Sequence, residues 1–114
     1  MKDIKKKIKI PIYFGELILI LSEDLEKTAK DLGTSLGAPS NGFCWNGLDK
    51  GLTQYFIAID KDATPSIIAH EASHCVNYIF KDRGIELDTH NDEPQCYLLS
   101  WIVDKCHEFL NKNK

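Results

Sequence analysis

The sequence predicts a single domain of the α+β class. Its length of 114 residues is the usual size of one domain. Its composition, with 43% hydrophobic and 27% charged residues, is typical of a globular chain. Short apolar stretches with β-branched residues come early, whereas apolar residues at helical spacing dominate the second half. We therefore predict that residues 1–114 form a small twisted sheet of about three strands, accompanied by three helices.

The first half of the chain contains the predicted strands. Residues 8–12 alternate and residues 16–21 are apolar, so this part predicts one or two strands, with Pro11 at an edge or a bulge. Ser22 is typical of an N-cap, and a helix is predicted for residues 23–32. Residues 37–51 are rich in turn-forming residues and predict a loop or a short strand, and residues 51–60 favour an extended strand.

Two longer helices are predicted in the second half. Thr64 and Pro65 combine a capping hydroxyl with a proline suited to the first helical turn, and apolar residues keep helical spacing up to Asp82. A connector follows, and the last helix begins near Glu93.

Three of the four cysteines lie on or near apolar positions of these two helices, and no two cysteines have CxxC spacing. We therefore expect reduced, buried thiols at Cys75, Cys96 and Cys106.

The charge pattern gives no sign of a nucleic-acid or membrane partner. The formal net charge is -3, and the one basic cluster, Lys5, Lys6, Lys7 and Lys9, alternates into isoleucines and is interpreted as a solvated strand face. The apolar residues that follow are interrupted and no small-residue cleavage site comes after them, so they do not indicate a secretion signal, and the uninterrupted run of residues 17–21 is too short to cross a bilayer. We therefore expect a soluble, cytoplasmic protein that binds neither nucleic acid nor membrane.

The motif that carries chemistry is His70-Glu71-Ala72-Ser73-His74. Two histidines four residues apart leave the same face of a helix, so both imidazoles can reach one metal ion. Glu71 lies beside them, where a carboxylate can accept a proton from water at that ion. This is the HExxH arrangement of zinc metallopeptidases. The rival interpretation is a polar helix face with a solvated glutamate.

A third protein ligand is expected between the two long helices. Glu93 is preferred because Pro94 fixes the first turn and places its carboxylate at the mouth of a helix that can pack across the first one. His90 and Asp92 are the alternatives. The helix dipole alone would also explain an acidic residue at this position.

The residues 70–74, followed by Asp92-Glu93-Pro94-Gln95-Cys96-Tyr97-Leu98-Leu99, resemble the active-site helix and the glutamate helix of gluzincins, the thermolysin-like zinc metallopeptidases. The length resembles that of minigluzincins and of small HExxH proteins predicted in phages and bacteria. The resemblance covers residues 64–101. It implies a minimal zincin-like fold, with a small sheet, a backing helix, an active-site helix and a glutamate helix.

The resemblance also implies roles for individual residues. His70, His74 and Glu93 would bind Zn2+, and Glu71 would act as general base and acid. The strand before the active-site helix, here residues 51–60, would receive a peptide substrate along an exposed edge. The family's helper for the oxyanion has no certain match: Tyr97 lies four residues after Glu93 and is either that helper or a core tyrosine that braces the zinc ligands.

The predicted function is therefore that of a zinc metalloendopeptidase acting on a peptide or protein, in which zinc lowers the pKa of water and Glu71 takes the proton. One alternative is a non-catalytic binding module in which zinc joins two helices. The other is a latent enzyme, whose site is covered by the N-terminal strands or by residues 37–51 with Phe43 and Trp45.

Overall fold

The computed structural model describes residues 3–113, which form a mixed sheet and three helices. The strands are β1 Ile4–Lys9, β2 Glu16–Leu21, β3 Gly42–Asp49 and β4 Leu52–Ile59, and the helices are α1 Leu25–Asp31, α2 Pro65–Asp82 and α3 Glu93–Asn113. The α+β class is confirmed. The sheet has four strands, where about three were predicted.

The strand order decides which edge of the sheet is open. The order is β1-β2-β4-β3, with β2 parallel to β4 and the outer pairs antiparallel. The prediction that residues 51–60 present an exposed edge is wrong, because β4 is hydrogen-bonded on both sides. Residues 42–49, predicted as loop or short strand, pair with β4 along all eight positions and form the edge strand instead.

The sheet separates two hydrophobic clusters. The larger cluster lies between the sheet and helices α2 and α3, and the smaller one lies under α1. Side chains of a strand alternate between faces, so Leu17 and Leu19 enter the larger cluster while Ile18 and Ile20 enter the smaller one. An inner strand buried on both faces needs an uninterrupted apolar run, which explains residues 17–21.

The two long helices follow their sequence signals closely. The hydroxyl of Thr64 accepts a hydrogen bond from the Ile67 N–H at 3.3 Å, and Pro65 occupies the first position of α2. The helix ends at Asp82, and Gly84 after it has a φ of 69°. Helix α3 begins at Glu93, as predicted.

Helix α1 begins later than predicted. Its N-cap is Asp24, whose carboxylate accepts from the Lys27 N–H at 3.2 Å. The predicted cap, Ser22, is buried instead, and its hydroxyl lies 2.6 Å from the hydroxyl of Thr28. Because the Ser22 hydroxyl packs against Thr28 of the helix, the Asp24 carboxylate caps the first turn instead.

The cysteines are free thiols in different surroundings. Cys75 and Cys106 are buried, as predicted, and Cys44 is partly buried. Cys96 is exposed, so the prediction of burial is wrong for this residue, which lies on the solvent side of the first turn of α3.

Among residues 3–113, no helix combines the length and the apolar character that crossing a bilayer requires.

Polar contacts attach the C-terminal end of α2 to the sheet. The Tyr55 hydroxyl donates to the Asp82 carboxylate at 2.7 Å, and the Arg83 guanidinium donates to the Thr53 hydroxyl at 2.7 Å and to the Tyr13 carbonyl. Burial, followed by the Asp82 hydrogen bond, raises the pKa of Tyr55 to about 12. These contacts hold the end of α2 where β2 and β4 begin, and so orient the whole helix on the sheet.

Gly15, just before β2, provides a test of this packing. Its φ is 88°, and a Cβ there would lie 2.5 Å from the Thr53 Oγ1 and 2.9 Å from the Thr53 carbonyl oxygen. Gly15→Ala should lower the free energy of unfolding by about 2–5 kcal/mol, since left-handed backbone costs about 1–2 kcal/mol and overpacking about 1–3 kcal/mol. Urea unfolding measures the change.

Gly33 is the matched control for this substitution. It also has a φ of 88°, but no atom lies within 4 Å of the position that a Cβ would take. Gly33→Ala should therefore cost only the backbone part, about 1–2 kcal/mol. Equal losses for the two variants would contradict a close contact between Gly15 and Thr53.

Candidate metal centre

Helix α2 brings His70, Glu71 and His74 together. The Nε2 atoms of the two histidines lie 3.2 Å apart, and the ligand atoms of all three residues lie within 4.8 Å of one another. No other such group of His, Cys, Asp or Glu occurs within residues 3–113. Both imidazoles are exposed, whereas Glu71 is only 8% exposed.

The helix itself produces this geometry. Ala72, Cys75 and Val76 are buried against the sheet and α3, which leaves His70 and His74 on the solvent flank, one turn apart. The two rings meet edge to face, with centroids 4.8 Å apart and planes at 80°. Glu71 lies on the border between this flank and the core, so its carboxylate faces the rings from the buried side.

The distance between the imidazole nitrogens fits two ligands of one ion. In tetrahedral zinc sites the Zn–N bonds are about 2.0–2.1 Å, which places two such nitrogens about 3.3 Å apart. The 3.2 Å between the Nε2 atoms agrees with this value. Without a shared cation, two ring nitrogens at this distance must be joined by a hydrogen bond, in which the N–H of one ring donates to the bare nitrogen of the other. Two imidazoles and a carboxylate are donors that suit zinc and related divalent ions.

Glu71 lies in a less polar setting than the histidines. Burial raises the pKa of its carboxyl group, and the positive charges that His70 and His74 can carry oppose the shift.

The thiols of Cys44 and Cys75 lie close to this group. A hydrogen bond with Cys75, followed by burial, raises the pKa of Cys44 well above its usual value. The ligand atoms that converge at the site are those of His70, Glu71 and His74, and neither thiol belongs to that group.

Tyr78 is a neighbour of the site that the sequence analysis did not identify. It follows His74 by four residues and Glu71 by seven, so it lies on the same side of α2. The residue is half-buried, and burial, with the nearby Cys44 and Glu71, raises the pKa of its hydroxyl. The helical spacing was the signal that could have identified it.

Glu93 is not part of the histidine group. It is the first residue of α3 and is exposed, as are the alternatives His90 and Asp92. None of the three belongs to the set of ligand atoms that lie within 4.8 Å of one another on α2. The assignment of Glu93 as third ligand therefore stays a prediction.

Tyr97 lies at the surface of α3. Its side chain is 72% exposed, so the interpretation as a core tyrosine is wrong. It follows Glu93 by four residues and shares the exposed flank of the helix, beside the buried stripe that begins with Leu98. A role toward an oxyanion stays a prediction for Tyr97.

The open edge of the sheet lies beside the histidine group. Helix α2 runs along β3, as two contacts show. The Ile67 Cγ2 lies 3.1 Å from the position that a Cβ would take at Gly42, and the Cys75 thiol interacts with the Cys44 thiol. His70, Glu71 and His74 lie in the helix between these two contacts. The group therefore borders the free edge of β3.

The segments expected to cover the site leave the histidines exposed. Phe43 and Trp45 point to the opposite face of the sheet, where they pack in the cluster under α1. Strand β1 forms the far edge of the sheet, separated from β3 by two strands. Neither segment covers the exposed histidines.

Comparisons with protein-family models, with curated proteins and with solved structures found no match to this chain. The arrangement of side chains is therefore the basis on which a function is proposed.

Proposed function

We propose that this protein is a zinc-dependent metallopeptidase that cleaves peptide bonds at the group His70, Glu71 and His74. The observation that carries the proposal is the 3.2 Å separation of the His70 and His74 Nε2 atoms, which suits two ligands of one ion. The adjacent Glu71 carboxylate supplies the base that such a site needs for hydrolysis.

The ion would be held by His70 and His74, with Glu93 as the third protein ligand. When bound, zinc would supply a Lewis acid that lowers the pKa of water to about 7 and polarises a carbonyl group. Glu93 lies at the start of the helix that packs against α2 through Leu98 and Ile102, so both elements needed for the ligand set belong to one packed unit.

Glu71 would transfer the protons of the reaction. Its carboxylate would accept a proton from the attacking water and donate it to the nitrogen of the leaving amine, so the residue ends the cycle in its starting state. Its low exposure supports this role, because a carboxylate away from bulk water is held in one orientation and keeps the accepted proton from solvent.

Strand β3 would bind the substrate as an extended chain. An edge strand offers unpaired backbone N–H and C=O groups, and a peptide can add to them as a further strand. The eight residues of β3 run beside α2, so a peptide on this edge would pass the histidine group. Tyr97 would then steady the oxyanion from α3.

Metal content and cleavage, measured together, test the proposal. The purified protein should hold about one zinc ion per chain by elemental analysis and should cleave members of a peptide library; chelation should abolish cleavage and zinc should restore it. His74→Gln should lose both properties. The control is His107→Gln, which removes a half-buried histidine of α3 and should change neither.

The possible outcomes separate the proposal from its alternatives. Bound zinc with no cleavage of any library peptide would favour the non-catalytic module, in which the ion joins α2 and α3. A protein that takes up no divalent ion would exclude both functions.

A further inference from the structure

Tyr78 is a polar side chain beside the candidate metal centre that the proposed mechanism does not use. Residues three and four apart on a helix are neighbours, so Tyr78 lies next to both Cys75 and His74. Helical side chains lean toward the N-terminus, and the Tyr78 ring therefore covers the turn that carries these two residues. His74 belongs to the metal centre, and the Cys75 thiol interacts with that of Cys44 on β3. Tyr78 thus lies between the metal centre and the edge strand.

The directions of α2 and β3 show which part of the strand Tyr78 adjoins. The contacts at Gly42 and at Cys44 come in the same order along both elements, so α2 and β3 run in the same direction. Tyr78 follows Cys75 by three residues, which is about 4.5 Å along a helix. Asn46 follows Cys44 by two residues, which is about 7 Å along a strand. Tyr78 is therefore near the level of Asn46, in the middle of the eight residues of β3.

The Tyr78 hydroxyl is available to a ligand. The residue is half-buried and packs against the larger hydrophobic cluster, and within residues 3–113 its hydroxyl has no hydrogen-bond partner. No fully buried side-chain oxygen in this part of the chain lacks a partner, so the hydroxyl reaches solvent. The Tyr55 hydroxyl, in contrast, is held by the Asp82 carboxylate at 2.7 Å. Packing fixes the ring of Tyr78 and leaves its O–H donor at the surface beside β3.

We propose that the Tyr78 hydroxyl donates a hydrogen bond to a backbone carbonyl oxygen of a peptide bound along β3, which makes Tyr78 a substrate-binding residue. The inference rests on the part of the proposed function that takes β3 as the peptide-binding edge. An extended peptide has one backbone carbonyl per residue whatever its sequence, so this contact positions a substrate without selecting its side chains. Glu71 lies about 10 Å before Tyr78 along the helix, a distance that an extended peptide spans in about three residues. The acceptor therefore lies within about three residues of the bond that is cleaved.

Peptide binding to a protein that does not cleave tests the inference. The host is the full chain with Glu71→Gln, loaded with zinc, and the probe is a library of capped peptides with a terminal fluorophore, whose tightest member is followed by fluorescence anisotropy. Tyr78→Phe in this host should weaken binding about two- to tenfold, the worth of one neutral hydrogen bond. Zinc content and the urea midpoint should not change, because the hydroxyl has no partner within residues 3–113.

Tyr13 provides the matched control. It is also half-buried, but it lies between β1 and β2, at the far edge of the sheet from β3. Tyr13→Phe removes the same hydroxyl group and should bind the peptide like the host protein.

Modified peptides identify the acceptor. In a series derived from the tightest library member, each backbone C=O in turn is replaced by CH2, which removes one acceptor. One peptide of the series should bind the host about two- to tenfold more weakly and lose nothing further on Tyr78→Phe, because the pair that forms the hydrogen bond is already broken. The other peptides should remain sensitive to Tyr78→Phe.

The outcomes separate this inference from the proposed function. Equal binding by the host and its Tyr78→Phe variant, or the same loss for every peptide of the series, would overturn the inference and leave cleavage by the unchanged protein unaffected. Failure of the host to bind any library peptide would also overturn it. An unchanged protein that never cleaves, in a chain whose peptide affinity still depends on Tyr78, would contradict the proposed function and support the inference.

Discussion

Glu71→Gln should reduce kcat for peptide cleavage by about 10²–10⁴-fold, the range that a general acid–base residue contributes. Gln keeps the size and shape of the side chain but cannot accept a proton, so the attacking water and the leaving amine both lose their partner. His70 and His74 remain in place, and the zinc content should therefore stay at its original value. Steady-state kinetics and elemental analysis on the same preparation measure both quantities.

The Glu71 experiment has a direct control on another helix. Glu26 of α1 is exposed, lies across the sheet from the histidine group, and forms part of the first turn of its helix. Glu26→Gln should leave kcat, KM and metal content unchanged. A Glu71→Gln protein that cleaves at the original rate would exclude the proposed mechanism, whatever its metal content.

Removal of a ligand should have the second large effect. His70→Ala and Glu93→Ala should each weaken zinc binding by about 100- to 1000-fold, because structural zinc sites bind with about 10–16 kcal/mol shared among four ligands. Competition with a chromophoric chelator measures the dissociation constants. The stabilisation that zinc gives against thermal unfolding should fall in parallel, since a ligand stabilises only the state that binds it.

Two neighbouring variants make the Glu93 result specific. Asp92→Ala and His90→Ala remove exposed side chains of the same connector, and neither should change the zinc affinity if Glu93 is the third ligand. Loss of affinity in His90→Ala with no loss in Glu93→Ala would reassign the third ligand to His90. No loss in any of the three would leave the site with its two histidines alone.

Local signals were sufficient where an element depends on its own residues. The cap at Thr64, the proline after it and the apolar spacing of residues 64–82 together specified α2, and the four-residue step placed His70 and His74 on one flank. The same spacing could have identified Tyr78. These features follow from the helix period, which needs no information from distant parts of the chain.

Local signals failed where neighbours in space decided the outcome. The composition of residues 37–51 left a loop and a short strand open, and Gly42–Asp49 forms a strand of eight residues because β4 offers it a complete row of hydrogen-bonding partners. Cys96 and Tyr97 have apolar or amphipathic side chains that a helix could bury, but α3 turns Leu98 and Ile102 toward the core and leaves the first two outside.

The α+β class, the two long helices and the pairing of two histidines with a glutamate on one of them could be predicted from local patterns, because each depends on contacts within a few residues. Three features could be seen only in the folded chain: β3 is the open edge beside the histidines, Phe43 and Trp45 face away from them, and apolar turns gather at one end of the sheet. Strand order and register arise from pairing between residues far apart in the chain, and no local pattern encodes which partner a strand will find.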